Sequence, residues 1–261
     1  MIPLHDDAPA HRTPWVMRSV IGVCVLVFIY QLTLDERAEI ALVYQFGMIP
    51  ASLFRYGELP PELAVIPPEL TLVTTIFLHG GFMHLIGNML FLWVFGDNVE
   101  SAMGHWRFLA FVLVTAAIAA LCHALWEPTS EVPLIGASGA VSGILGGYII
   151  LYPRARILVG IPIGFLFIPL RLPALLILGI WFALQLLNVL RIGGAGDPIA
   201  WTAHVGGFLA GMALVTLFRD RDYPILSKHK DMALPFAKGG AIRILRPEPH
   251  PDSPYKRGPW G

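Results

Sequence analysis

Gly136-Ala137-Ser138-Gly139 stands at the head of a stretch, Pro133 to Tyr152, that contains no charged side chain. A run of this kind is apolar enough to enter a bilayer, where polar groups are costly to hold and so mark function more often than packing. Two other apolar segments carry such groups: His84 with Asn88 in one, and His204 in the other.

Working outward, the bulk composition agrees. The chain has 261 residues, 56% hydrophobic and 14% charged, with a mean hydropathy of +0.66. Soluble domains carry about a quarter charged residues, so the reading is an all-α polytopic membrane protein with the lipid bilayer as its main partner. A formal net charge of zero argues against nucleic acid held by phosphate contacts. Cys24 and Cys122 lie inside apolar runs and read as small hydrophobes rather than a disulfide. They are also too few for a cysteine-rich metal site.

Six segments are read as spans: Val16 to Thr33, Phe82 to Val99, Arg107 to Trp126, Ser138 to Leu151, Leu172 to Leu190, and Ala203 to Phe218. The first exceeds a signal-peptide core and lacks a small-residue cleavage site, so it reads as a retained helix. This gives an amino-terminal segment 1–15, a six-helix domain 16–218 and a Pro- and Lys/Arg-rich tail 219–261 expected to be disordered. The long first loop, 34–81, mixes charge, prolines and apolar runs, and is expected to hold short interfacial helices. Ile161 to Leu170, broken by Pro162 and Pro169, reads as an interfacial or re-entrant lead-in to the fifth span.

Lys and Arg collect at the amino-terminal end (Arg12, Arg18), in the loops holding Arg107 and Arg154, Arg156 and Arg171, and in the tail, which has nine after Phe218. That pattern places both termini on the cytoplasmic side, in an inner or plasma membrane. Even-numbered helices then run inward, so His84, Asn88, Ser138 and His204 all fall near the outer surface, a few residues deep.

His84 and Asn88 are four apart and share a helix face. Ser138 opens its helix, where free backbone N–H groups favour a developing anion. Gly136 and Gly139 permit a sharp entry to that helix. Gly139 with Gly143, and Gly207 with Gly211, follow the small-xxx-small pattern that lets helix backbones touch. His204 could then serve Ser138 as a general base. No Asp or Glu sits at this depth, so a Ser-His dyad is expected rather than a triad.

Singly, each residue has a plainer explanation. A Ser at a helix start is most often an N-cap, a lone membrane histidine is usually a packed one, and Asn88 could be interhelical glue. Their coincidence of depth reverses those odds.

In this order, His79-Gly80-Gly81-Phe82-Met83-His84-Leu85-Ile86-Gly87-Asn88, Gly136-Ala137-Ser138-Gly139 and Ala203-His204-Val205-Gly206-Gly207-Phe208-Leu209-Ala210-Gly211 resemble the rhomboid intramembrane serine proteases of the bacterial six-helix type. The resemblance covers roughly residues 70–211. It implies that Ser138 is the nucleophile and His204 the general base. It also implies an oxyanion hole formed by His84, Asn88 and the Ser138 backbone N–H, with no metal or organic cofactor. The substrates implied are transmembrane proteins, cut near the outer end of their membrane helix after small residues. The resemblance leaves one position unmatched: relatives often carry a Tyr four residues after the nucleophile, stacked on the catalytic imidazole, and here that residue is Ser142. The Trp-Arg pair common in the first loop of relatives has only Phe54-Arg55 as a counterpart.

Two other functions compete. A non-catalytic rhomboid-like protein that binds and triages transmembrane clients would be expected to have lost the dyad. A metal-dependent enzyme or transporter using His79, His84 and His204 would want a carboxylate at that depth, and the sequence has none.

Overall fold

The computed structural model describes residues 2–163, 166–192, 199–221 and 223–226. In chain order these form strand β1 (Ile2–Asp6), helix α1 (Trp15–Gln31), the short helices α2 (Glu36–Phe46), α3 (Pro50–Leu53) and α4 (Pro68–Thr74), then α5 (Phe82–Met103), α6 (His105–Trp126) and α7 (Ser138–Leu151). Strands β2 (Arg156–Ile163) and β3 (Leu166–Pro173) follow, and α8 (Ala174–Ile192) and α9 (Trp201–Phe218) complete the order.

The protein is thus a mostly helical membrane protein. By length and composition α6, α8 and α9 can each cross a bilayer, and α4 with its following 3₁₀ turn passes jointly with α5 as a span bent by 86°. α1, with 17 residues, and α7, with 14, are apolar but shorter. A 14-residue helix rises only about 21 Å against a hydrocarbon core of about 30 Å. At least one end of α7 therefore lies below the membrane surface. Every residue from Ala140 to Ile149 is buried, because α5, α6, α8 and α9 surround the helix.

Glycine sets how closely they surround it. A Cβ on Gly207 would collide with the Gly139 carbonyl, and one on Gly211 with the Gly143 carbonyl, so α7 and α9 run parallel and in contact along their backbones. On the α6 side, a Cβ on Gly139 would come within 2.7 Å of the Ala119 Cβ and one on Gly143 within 2.5 Å of the Thr115 Cβ. Lipid supplies no hydrophobic force between helices, so contact of this kind is a main source of their association.

At the opposite end from Ser138 the fold is tied by polar groups. Pro14 precedes α1 and supplies no side-chain cap. Instead the wholly buried Glu100 carboxylate at the end of α5 accepts from Val16 N–H (3.0 Å) and Met17 N–H (2.8 Å), and lies 2.6 Å from His105 Nδ1. An anion there satisfies two of the orphan donors at a helix start.

Two segments differ from the sequence reading. Residues 161–170 are no simple lead-in to α8: β2 and β3 form an antiparallel hairpin, and β1, in the segment read only as an amino-terminal extension, pairs with the other edge of β2. Period-two burial explains it, since Ile157 and Val159 both point into the core. Pro169 sits on an edge strand and Pro162 beyond the reach of β1, where neither removes a needed donor. The chain after α9 also stays with the bundle. Asp220 N–H donates to Ala102 O (2.8 Å), Tyr152 donates to the Tyr223 hydroxyl (2.7 Å), and Leu226 N–H donates to Ile150 O (2.9 Å). Residues 227–261 of the expected disordered tail lie outside the described residues.

Two stability predictions arise here. Gly211→Ala must separate α7 from α9 and is expected to lower the stability by about 1–3 kcal/mol in detergent thermal melts. Gly179→Ala, whose Cβ meets nothing within 4 Å, should leave the melt unchanged or raise it. Equal effects would refute the backbone contact. The second concerns Asp6, whose carboxyl burial pushes up to about 7, opposed by the Ala8 N–H and reinforced by nearby Asp97. The folded state then holds a proton that the unfolded chain has lost between about pH 4 and 7, so stability falls as pH rises through that window. Melting temperature should decline from pH 5 to 8 in the wild type and decline less in Asp6→Asn; parallel profiles would refute the assignment.

Candidate active site

The chain enters α7 through Gly136, whose φ of +114° is a conformation that favours glycine. Its N–H donates to Thr75 O (2.9 Å), and Thr75 Oγ1 donates to Leu134 O, clamping this entry to the 3₁₀ turn before α5. Ala137 has near-helical angles, so Ser138 is the first residue of the helix. Its backbone N–H belongs to the group that a helix leaves without an internal partner.

Two α5 side chains lie over Gly136. A Cβ at this position would be 2.5 Å from His84 Nε2 and 3.6 Å from Asn88 Nδ2. Gly80 N–H donates to His84 Nδ1 (3.4 Å), which leaves the proton on Nε2, the nitrogen beside Gly136. Asn88 is buried, and its Nδ2 has no hydrogen-bond partner among the described residues. Leaving such a donor unmade costs about 1–3 kcal/mol, a cost an incoming acceptor would remove. Behind His84 stands His79, ring centroids 5.2 Å apart, wholly buried and with its Nε2 also unpartnered. Gln31 holds the His79 backbone by accepting from its N–H and donating to its O, both at 3.1 Å.

The α7–α9 contact delivers the fourth residue. Gly207 lies at Gly139 and Gly211 at Gly143, and His204 shares their face of α9 at the i, i+3, i+7 positions. Carried one turn toward the amino ends, the same register sets His204 level with Gly136 and within a turn of Ser138. Its ring stands between Trp181 of α8 (6.2 Å between centroids, 33° between planes) and Trp201 (6.0 Å, 89°). His204 Nδ1 lies 2.8 Å from Gln185 Oε1, also on α8. Ser142 is turned away, its hydroxyl donating to Ser138 O (2.7 Å).

The elements therefore collect Ser138, His84, Asn88 and His204 at one end of the bundle, with His79 behind rather than among them. Gln185 and Trp181 escaped the sequence reading. The fifth apolar segment carries two amides, Gln185 and Asn188, and these were the available signal. Among the described residues no three His, Cys, Asp or Glu side chains converge as metal ligands would.

A serine hydroxyl at a helix start, an imidazole from the neighbouring helix and nearby N–H donors are the groups that acyl transfer requires. The Rhomboid domain family pattern matches residues 68–221, more than half of the chain. The chain belongs to the rhomboid family. It is 31% identical over 192 residues to "Rhomboid protein 1, mitochondrial" of Saccharomyces cerevisiae, aligning 66% of this chain with 51% of that protein. It is 30% identical over 141 residues to "RHOMBOID-like protein 5" of Arabidopsis thaliana, 54% of this chain against 42% of that one. With "Rhomboid protease GluP" of Bacillus subtilis it shares 33% identity over 145 residues, 55% of this chain and 25% of the relative. This rhomboid thus spans about half or less of the length of these relatives.

Gly136→Ala tests the geometry of the entry turn. The new Cβ would meet His84 Nε2 at 2.5 Å in a left-handed backbone, and a loss of about 1–3 kcal/mol is expected in thermal melts. Part of that loss should disappear in Gly136→Ala/His84→Ala, giving a double-mutant coupling above about 0.5 kcal/mol. Additive effects would mean that the two residues do not touch.

Proposed function

We propose that this rhomboid is an intramembrane serine endopeptidase that cleaves membrane-anchored proteins near the outer end of their transmembrane helix. The observation that carries the reading is the buried, unpartnered Asn88 amide beside His84 Nε2 at the entry to α7. Donors held ready at a helix start serve a charge that develops during reaction.

In this mechanism His204 Nε2 takes the Ser138 hydroxyl proton as Oγ attacks the scissile carbonyl. The carbonyl oxygen becomes the oxyanion, accepting from the Ser138 N–H, Asn88 Nδ2 and His84 Nε2–H. Collapse breaks the C–N bond while His204 returns the proton to the leaving amine, and a water activated by the same imidazole hydrolyses the acyl-enzyme. The chain needs no metal or organic cofactor for these steps.

The shortness of α7 supports access of water to Ser138 from one side of the membrane, and loop charge supports that side being extracytoplasmic. Both termini are then cytoplasmic, with residues 16–218 as the protease core. A plasma or inner membrane fits a chain of this organisation.

In proteoliposomes bearing a single-span substrate with small residues at its outer helix end, the wild type should cleave, and Ser138→Ala and His204→Ala should not. Asn88→Ala is expected to lower kcat/KM by about 10²–10³. A fluorophosphonate should label Ser138 in the wild type alone of the first three. Cleavage by all variants would overturn the reading in favour of other chemistry, and a folded wild type that neither cleaves nor labels would overturn it in favour of client binding.

A further inference from the structure

We infer that Gln185 is the positioning residue of the His204 base, an uncharged third member supplied by α8. The inference rests on the protease reading above. Gln185 lies in α8 on the buried stripe that includes Ala174, Leu178 and Val189, apolar positions where a leucine would be the simple choice. A primary amide at such a place is costly unless its hydrogen bonds are used. One of them is identified: Oε1 lies 2.8 Å from His204 Nδ1.

The chemistry of the pair fixes the tautomer. An amide oxygen accepts and cannot donate, so His204 Nδ1 carries the proton and Nε2 presents its lone pair. Nε2 is the ring nitrogen left for Ser138. Were the amide reversed, its NH₂ would donate to Nδ1, the ring proton would move to Nε2, and Ser138 would face a donor in place of a base.

Rotation of the ring is limited by Trp181, one turn before Gln185 on the same helix, and by Trp201 at the start of α9. Ser142 contributes nothing to the ring, since its hydroxyl is bonded to Ser138 O. Gln185 and Trp181 therefore do together what a buried carboxylate or a stacked ring beneath the imidazole would otherwise do. Being neutral, Gln185 orients the imidazole without the charge that would stabilise an imidazolium. The other titratable side chains facing His204 are His84 of α5 and His123 of α6, the latter 2.9 Å from Thr202 Oγ1.

The test uses the full chain in proteoliposomes, comparing wild type, Gln185→Leu and Gln185→Glu. Gln185→Leu is expected to lower kcat about 10- to 100-fold with KM changed less than about twofold, while keeping the melting temperature. Gln185→Glu keeps an acceptor at the same reach, so it should recover most of the lost rate. It should also move the acidic limb of the pH–rate profile upward by about a unit, because a carboxylate favours the protonated ring. A purely structural contact would produce neither the recovery nor the displaced limb. ¹⁵N spectra of selectively labelled histidine should find His204 protonated on Nδ1 in the wild type and a tautomer mixture in Gln185→Leu. Unchanged kcat in Gln185→Leu, or a wild-type proton on Nε2, would overturn the inference. A wild type that neither cleaves nor labels would instead overturn the protease reading, while the ¹⁵N spectrum would still report whether Gln185 holds the ring.

Discussion

Everything at the site depends on two helices touching without side chains between them. Gly207 and Gly211 bring the α9 backbone against the carbonyls of Gly139 and Gly143, and Ala119 and Thr115 close the α6 side. Each atom pair in such a seam contributes only about 0.1–0.2 kcal/mol, yet the contact is long and lipid cannot replace its shape. Its rigidity is what fixes the height of His204 relative to Ser138. A slip of one residue would rotate the imidazole about 100° away from α7.

Two buried polar side chains on α5, at opposite ends of the bundle, are treated in opposite ways. At one, Glu100 is wholly buried and its oxygens accept from the start of α1 and meet His105, so a costly charge is compensated within the fold. At the other, Asn88 Nδ2 is buried without a hydrogen-bond partner among the described residues. The first arrangement holds helices together. The second leaves a donor available at the entry to α7.

The apolar helices were legible because their signal is local: α7 begins and ends where the fourth span was read, and α5, α6, α8 and α9 agree to within a few residues. The glycine seam was legible from spacing alone. The hairpin was not, since its prolines read locally as breaks and its other edge is closed by β1, more than a hundred and fifty residues earlier in the chain. Nor was Gln185: its meaning comes from the ring it meets across α8 and α9, which no periodicity encodes. Equally hidden was the bend between α4 and α5, because His79-Gly80-Gly81 gives a break but not its direction.

The cap of α1 has a consequence in time. The helix emerges from synthesis early, but the carboxylate that accepts from Val16 and Met17 is translated 84 and 83 residues later. Until α5 has been made and inserted, the first helix waits in the bilayer with its leading N–H groups answered only by water or lipid headgroups. Its final seating is therefore decided by a later helix rather than by its own insertion, and the amino-terminal strand can join β2 only after that.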